Sequence, residues 1–340
     1  MPQGTALLSM LADGKFHSGE ILGEALGITR AAVWKHLRAL KARGIEIHSI
    51  PGKGHRLAGG IELLSEMKIR AGLSDAARAR LGGIELFQQI DSTNSELRRR
   101  ASGLPSAYAC LAETQSAGRG RNDRAWVSPY ARNLYLSLLW RFNAGPDALS
   151  GLSLAVGVAV LRALQAMGVD GVGLKWPNDL LWHGAKCAGA LIEMSGEAGG
   201  SARVVIGVGV NVDMPRQLGG AIDQAWTDLA TITGRGISRN SLAGMLLGKL
   251  IEVLSEFEDA GPDALLEEWR RHDIVSGRAV AVTTVHGEEF GIARGIDASG
   301  ALLVEEGGAI KRYLSGDVSL RALDADSSRE SSGARAGTMA

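Results

Sequence analysis

The sequence predicts an α+β protein built in three successive parts, and three observations carry that prediction. Two helices near the N-terminus meet across Gly27-Ile28 and are followed by a short basic hairpin. A middle stretch alternates apolar, strand-like runs with helices and keeps its polar motifs where one gives way to the other. Residues 278–321 then alternate apolar and polar at the spacing of short strands. A chain of 340 residues is long enough for two or three domains. The boundaries expected are 1–60, 61–272 and 273–322, and the small, polar tail 323–340 is expected to be disordered.

In the first part, Ala6–Ala12 reads as a helix, Ser18 can cap a second, and Thr29 can cap a third running to about Ala42. Val33, Leu37 and Leu40 form one apolar stripe of that third helix, which leaves Arg30, Ala31, Trp34, Lys35 and Arg38 on the other face. Ile45–Ile50, the turn Pro51-Gly52-Lys53-Gly54 and the return through His55 and Arg56 add a hairpin. Helix-turn-helix plus basic hairpin predicts a winged helix. Residues 1–60 hold eight basic side chains against four acidic ones. Such modules bind DNA through phosphate contacts and a helix face, here Thr29, Arg30, Ala31, Trp34, Lys35 and Arg38 with Lys53 on the wing. A winged helix used for protein contacts is the other reading. A lone winged helix binds weakly, so DNA binding implies a dimer.

The central part opens with a strand, Ile84–Ile90, that runs into Asp91-Ser92-Thr93-Asn94 and a helix. Ser92 and Thr93 either cap that helix or face a pocket. The strand Ala107–Glu113 delivers Thr114-Gln115, and the Gln115 amide both donates and accepts hydrogen bonds. Next comes Gly118-Arg119-Gly120-Arg121-Asn122-Asp123-Arg124-Ala125-Trp126. Glycine lets a backbone fold round an anion, and arginine supplies planar forks for carboxylate or phosphate oxygens. No apolar anchor precedes Trp126, so a loop that is mobile when empty is expected. Ordering such a segment costs on the order of 10 kcal/mol at ~1–2 per residue, which a multiply charged ligand can offset. A solvated turn or an RNA-binding arginine–glycine patch are the competing readings.

Lys175-Trp176-Pro177-Asn178-Asp179 groups a cation, an amide and a carboxylate round a rigid step that makes a poor central strand. Lys175 can neutralise phosphate, while Asn178 and Asp179 can orient a nucleotide or hold Mg2+ through water. Solvated turn charges are the alternative. Lys186 opens an otherwise apolar strand, a costly position unless an anion sits beside it. Gly207-Val208-Gly209-Val210-Asn211 ends another strand but lacks the third glycine and following helix of a dinucleotide fingerprint. The seven histidines show no ligand spacing, and no protein-built metal site is expected. Farther on, Leu242, Leu246, Leu250 and Leu254 stripe a helix over Asn240–Ala260, and Pro262 opens another over Asp263–Arg271. The final short strands suggest a small SH3-like barrel that carries Arg321.

Composition narrows the setting. The chain is 45% apolar and 22% charged, as in folded globular proteins, and its net charge is zero, so any nucleic-acid face is local. Cys110 and Cys187 lie in apolar segments, which predicts reduced, buried thiols and suits the cytoplasm. Gly151–Leu161, the longest apolar stretch, stops at Arg162 and is too short to span a bilayer; no membrane partner is expected.

Taken together, Ser92-Thr93-Asn94, Gln115, Gly118-Arg119-Gly120-Arg121, Lys175 to Asp179, Lys186 with Ala188-Gly189, and Asn211 resemble the biotin–protein ligases in order and spacing. With its winged helix, the chain is similar to the bifunctional bacterial type that also represses the biotin operon. The resemblance covers about residues 6–322, and its specific parts are the arginine loop and the Lys-Trp-Pro-Asn-Asp string. It implies a class II synthetase-like α/β ligase domain with a mixed sheet. It also implies that biotin and ATP, with Mg2+ carried mainly by the ATP, give biotinyl-5′-AMP. The biotin then passes to a lysine of the biotin carboxyl carrier protein of acetyl-CoA carboxylase.

By the same resemblance Ser92, Thr93, Asn94, Gln115, Gly118, Gly120 and Gly189 belong to the biotin site. Arg119 and Arg121 close over biotin and phosphate. Arg124, Trp126, Lys175, Asn178, Asn211 and Arg321 belong to the nucleotide site, although Arg321 reads equally as a structural barrel residue. Lys186 reaches both reacting groups, and Lys175 or Asp179 handles phosphate, metal or the incoming amine; with Arg121 these are the catalytic candidates. Operator DNA and a homodimer of the adenylate-bound protein are implied partners, with Lys186–Ser195 as the edge strand for dimer and carrier. One departure is Asn122-Asp123, where the family commonly has Arg-Gly; the extra negative charge either loosens the loop or is compensated by Arg124. A lipoate-type protein ligase has a related fold, but the winged helix and the lysine–tryptophan string argue against it. A non-catalytic biotin-sensing repressor has little use for Lys175 and three loop arginines.

Overall fold

The computed structural model describes residues 3–42, 45–57, 61–122, 124–196, 200–284, 287–314 and 319–322. Gly60, where the first boundary is expected, Asp123 and the tail 323–340 lie outside the described residues.

The N-terminal helices are α1 (Gln3–Leu11), α2 (Gly19–Leu26) and α3 (Arg30–Ala42), followed by the antiparallel pair β1 (Ile47–Ile50) and β2 (Gly54–Leu57). Their ends are set locally. The Ser18 hydroxyl accepts the Ile21 N–H at 3.1 Å, and the Thr29 hydroxyl accepts that of Ala32 at 3.2 Å. Gly27 ends α2 in the left-handed region at φ 64°. Val33, Leu37 and Leu40 are buried with Leu7, Leu22 and Leu57, as their spacing predicts. The same core takes in Tyr130 and Ala131, so this module rests on the segment that follows the arginine loop.

The central part runs α4 (Glu66–Ala71), α5 (Asp75–Arg80), β3 (Gly83–Phe87), α6 (Thr93–Arg100), β4 (Tyr108–Ala112), β5 (Leu134–Phe142), α7 (Leu152–Ala166), β6 (Val172–Lys175), β7 (Asp179–Trp182), β8 (Ala185–Gly196), β9 (Ala202–Val210), α8 (Leu229–Thr233), α9 (Arg239–Ala260) and α10 (Asp263–Arg271). Seven strands form one mixed sheet in the order β3-β4-β5-β9-β8-β7-β6, with only β3 and β4 parallel among its neighbours. Successive strand residues point to opposite faces. Leu111 and Leu138 therefore join the large core under α7 and α9, while Cys110, Leu139 and Val205 face Leu97 of α6. The stripe Leu242, Leu246, Leu250 and Leu254 of α9 is fully buried.

The edge expected at Lys186–Ser195 needs correction. Residues His183 and Gly184, both at positive φ, fold β7 back onto the start of β8. The pairs run from Asp179 with Gly189 to Trp182 with Ala185, and Asn178 also takes Ala190, so among the described residues Leu191–Gly196 is the part of β8 with no strand on that side.

Five antiparallel strands close the chain: β10 (Ala279–Thr284), β11 (Gly287–Ile296), β12 (Leu302–Glu306), β13 (Ala309–Tyr313) and β14 (Ser319–Ala322), in the order β13-β12-β11-β10-β14. An antiparallel sheet is what the described residues define. Trp176 donates its indole N–H to the Gly300 carbonyl at 3.1 Å, joining this sheet to the central part. Among the described residues no helix is long and apolar enough to cross a membrane.

The segment that enters the central part is clamped at the start of α9. The Glu62 carboxylate accepts the Arg239 N–H at 2.6 Å and the Ser238 hydroxyl at 2.8 Å. Arg239 forms a buried ion pair with Glu113 at 2.7 Å, and the other Glu113 oxygen accepts the Leu64 N–H at 2.6 Å.

Candidate ligand site

A cavity of about 600 Å³ opens between the mixed sheet, the arginine loop and the C-terminal sheet. Of the ligand-site residues expected from the sequence, all but Gly118 line it. Thr283, Glu288 and Leu320 join Arg321 on the C-terminal side. Arg321 is exposed and 3.7 Å from Glu288, a position on the rim. Gly118 acts from behind instead of touching the cavity. A Cβ there would lie 2.7 Å from the Trp126 carbonyl and 2.9 Å from the Gln115 amide nitrogen, so only glycine lets the loop close on Gln115.

The start of α6 supplies one wall. The Ser92 hydroxyl caps the helix, accepting the Ser95 N–H at 3.4 Å, and Thr93 donates its N–H to the Gln115 side-chain oxygen at 2.9 Å. Both serine and threonine also line the cavity, so cap and pocket roles coincide. Behind them the buried Ser137 hydroxyl donates to the Asn94 side-chain oxygen at 2.6 Å and sits 2.7 Å from the Thr93 hydroxyl. Sequence reasoning missed Ser137; a lone serine in the apolar run Leu134–Trp140 was its signal.

Gly207 and Gly209 are not a phosphate loop but have a steric task on β9. Alternate strand residues share a face, and here that face is the cavity floor. A Cβ at Gly207 would lie 2.2 Å from the Asn94 oxygen, and one at Gly209 would lie 2.4 Å from the Trp126 ring.

The arginine loop has more internal structure than expected. Gly120 donates to the Arg124 carbonyl at 2.7 Å, Trp126 to that of Gly118 at 2.9 Å, and Asn122 turns the chain at φ 52°. Asparagine tolerates that left-handed conformation. These bonds lower the ordering cost below the estimate for an unstructured segment. Arg119 donates to both Glu193 oxygens, at 3.1 and 3.0 Å, and Arg121 donates to the Asn178 side-chain oxygen at 3.5 Å. The Nε of Arg119 and the indole Nε1 of Trp126 are buried and have no hydrogen-bond partner among the described residues. An unsatisfied buried donor costs ~1–3 kcal/mol, so the site favours a ligand rich in acceptors.

The β6–β7 turn brings up the remaining charges. The Lys186 ammonium lies 2.5 Å from the Asp179 carboxylate, the anion that its apolar strand required. Gly189 leaves room for this pair, since a Cβ there would lie 2.9 Å from Lys186 Cε and 3.2 Å from the carboxylate. Lys186 also lies 5.5 Å from the Trp126 ring centre. Burial pushes the Lys175 ammonium below its usual pKa; Asp179 opposes this, and Lys186 and Arg124 add to it. Lys175, Lys186 and Arg124 thus crowd positive charge round one carboxylate. Asn178 holds Ala190 through both backbone and side chain. The Asn211 amide donates to the carbonyls of Lys186 at 3.4 Å and Thr227 at 3.1 Å, so it fixes the segment carrying Trp226, a further lining residue that sequence reasoning missed. Among the described residues no three His, Cys, Asp or Glu side chains gather as a metal site.

Outside the cavity lining, Thr29 at the start of α3, Arg30, Ala31, Trp34, Lys35 and Arg38 along it, and Lys53 in the turn between β1 and β2 are all exposed. The Arg38 guanidinium lies 4.7 Å above the Trp34 ring. An anion-seeking pocket joined to a helix-turn-helix with an exposed cationic face defines a small-molecule-handling protein with a nucleic-acid-binding module.

Comparison with known proteins makes that class specific. Residues 5–56 match the HTH domain, residues 86–211 the Biotin/lipoate A/B protein ligase family, and residues 275–321 the Biotin protein ligase C terminal domain. The Bifunctional ligase/repressor BirA of Salmonella typhimurium is 43% identical over 94% of this chain and 97% of its own length. That of Escherichia coli is 42% identical over the same shares. Among solved structures, the biotin protein ligase from Aquifex aeolicus in complex with biotin and ATP is 28% identical, with a TM-score of 0.62 over 71% of this chain and 99% of that one. The chain belongs to the family of bifunctional BirA-type biotin protein ligases.

Proposed function

We propose that this chain is a cytoplasmic ligase that joins biotin to ATP and transfers it to a lysine of a biotin carboxyl carrier protein, and that it also acts as a biotin-operon repressor. The observation that carries the reading is the convergence of Lys186, Lys175, Arg121 and Arg124 on one cavity that also holds the Thr93–Gln115 hydrogen-bonding wall.

A carboxylate and a triphosphate repel one another, so fixed cations that hold both lower the barrier by positioning and by charge stabilisation. In this reading Ser92, Thr93, Asn94 and Gln115 hold the ureido ring, with Gly120 and Gly189 giving close backbone approach. Arg119 and Arg121 cover the acid and the phosphate. Trp126, Asn178, Asn211 and Arg321 bound the nucleotide. Asp179 keeps the Lys186 ammonium placed until the substrate oxyanions take it over. The biotin carboxylate oxygen attacks the α-phosphorus, its bond to pyrophosphate breaks, and pyrophosphate leaves. The carrier amine then attacks the acyl carbon, AMP leaves, and the amine proton passes to Asp179 or to solvent. Mg2+ would be carried mainly by the triphosphate, where it would screen the phosphate charges, and Asn178 and Asp179 would hold it through water.

The parts divide near residues 60 and 272, and the C-terminal sheet serves as an SH3-like barrel over the rim. The side of Leu191–Gly196 that has no neighbouring strand suits strand addition by a second copy or by the carrier, one at a time. Competition of carrier with self-association in a sedimentation titration tests this, and dimers indifferent to carrier would refute it.

Incubation with biotin and ATP should release pyrophosphate, and a carrier added next should gain the mass of one biotinyl group. Neither event with biotin, but both with lipoate, would select a lipoate-type ligase; binding of biotin without pyrophosphate would select a sensor. For the DNA module, Lys35→Ala with Arg38→Ala should weaken operator binding and shrink the slope of log affinity against log salt by roughly one per lost phosphate contact. Pyrophosphate release should not change. An unaltered slope would remove these two side chains from the DNA face.

A further inference from the structure

We infer that Glu193 is a positioning residue for the ligand site, holding Arg119 of the loop and Asn94 of the wall in the orientations in which they meet the ligand. The inference rests on the reading that the cavity takes biotin, and it adds a residue to which neither motif nor chemistry had drawn attention.

Glu193 lies on β8 and does not line the cavity. Its carboxylate nevertheless gathers three donors from two other segments. Arg119 Nη2 approaches both oxygens at 3.1 and 3.0 Å, Asn94 Nδ2 one oxygen at 2.9 Å, and Arg98 Nη1 the other at 2.7 Å. Arg119 and Asn94 line the cavity, whereas Arg98 lies outside it and is half exposed.

The geometry gives the carboxylate a directing effect on each partner. The Arg119 guanidinium spends its Nη2 edge on Glu193, and its buried Nε–H stays without a hydrogen-bond partner among the described residues. A fixed fork with one edge committed presents the other to a ligand acceptor. Asn94 is oriented at both ends. Its Nδ2 donates to Glu193 and to the Leu191 carbonyl at 3.3 Å, and its oxygen accepts from Ser137 at 2.6 Å. Turning that amide over would set its oxygen against the carboxylate, so the acidic group selects one face. Gly207 leaves the space in which this orientation fits.

Glutamine at this position keeps the shape but turns one acceptor into a donor, so three donors would meet a single side-chain oxygen. Glu193→Gln should therefore weaken biotin binding by about tenfold in calorimetry and raise the biotin KM by a similar factor, as loss of a charge-assisted bond predicts. The ATP KM should rise by less than the biotin KM, because of the two ligand-facing groups that Glu193 holds only Arg119 also reaches the phosphate, while Asn94 belongs to the biotin wall. In an Arg119→Ala background the same substitution should have a much smaller effect, since coupled residues are not additive. Arg98→Ala serves as the control and should leave biotin affinity unchanged. Unaltered biotin affinity in Glu193→Gln, or an equal loss with and without Arg119, would overturn the assignment. A wild-type protein that binds biotin but releases no pyrophosphate would refute only the proposed reaction, and the Glu193 comparison would then be decided by calorimetry alone.

Discussion

Replacing Lys186 with alanine lowers pyrophosphate release from biotin and ATP by about a hundredfold or more, the scale seen when one preorganised electrostatic group is removed. Two losses combine. The ammonium is held in place before substrate arrives, because its backbone N–H donates to Ala225 at 2.9 Å and its carbonyl accepts from Thr227 at 2.9 Å. Its removal also leaves the partly buried Asp179 carboxylate unpaired beside an anion site, where it repels both substrates. Lys186→Ala with Asp179→Asn should thus regain biotin affinity but not turnover. Arg121→Ala, which removes a charged hydrogen bond, should cost more than about tenfold, as ~1.5–3 kcal/mol implies. Steady-state pyrophosphate assays rank the variants. A Lys186→Ala enzyme within threefold of wild type would remove this lysine from the chemistry.

Glu113→Ala or Arg239→Ala destabilises the folded protein by ~3–5 kcal/mol, the cost of leaving one member of a buried ion pair uncompensated. Both side chains are almost fully buried, at 2% and 3% exposure. Against a typical net stability of ~5–15 kcal/mol, that is a large share. The double variant should lose less than the two singles added together, because neither charge is then stranded. Denaturant unfolding measures this directly, and additive losses would contradict the account. Since Glu113 also accepts the Leu64 N–H, and Arg239 donates to the Asn133 and Glu62 carbonyls, proteolysis near residue 62 should precede global unfolding in each single variant.

What could be read from the chain was local or periodic. The winged helix announced itself through Ser18, Gly27 and Thr29 and through the stripe of Val33, Leu37 and Leu40, because caps and helical faces are written within a few residues. The arginine loop and the Lys175–Asp179 string were visible because their residue types suit anions whatever surrounds them. The resemblance to a ligase family then placed them in one site. The loop's internal hairpin was less visible, since its backbone bonds need no particular side chains.

By itself, then, the sequence determined the order of the parts, the helix faces and the identity of the charged groups that meet at the cavity. Tertiary structure alone decided which anion answers Lys186, why β9 needs glycine at 207 and 209, and how much of β8 keeps an open edge. It also decided that Glu113 finds Arg239 across 126 residues of chain and that Glu193 reaches back to Arg119 and Asn94. The physical reason is that a hydrogen bond or ion pair depends on distance in space. Partners brought together by a folded sheet leave no spacing in the sequence by which to recognise them.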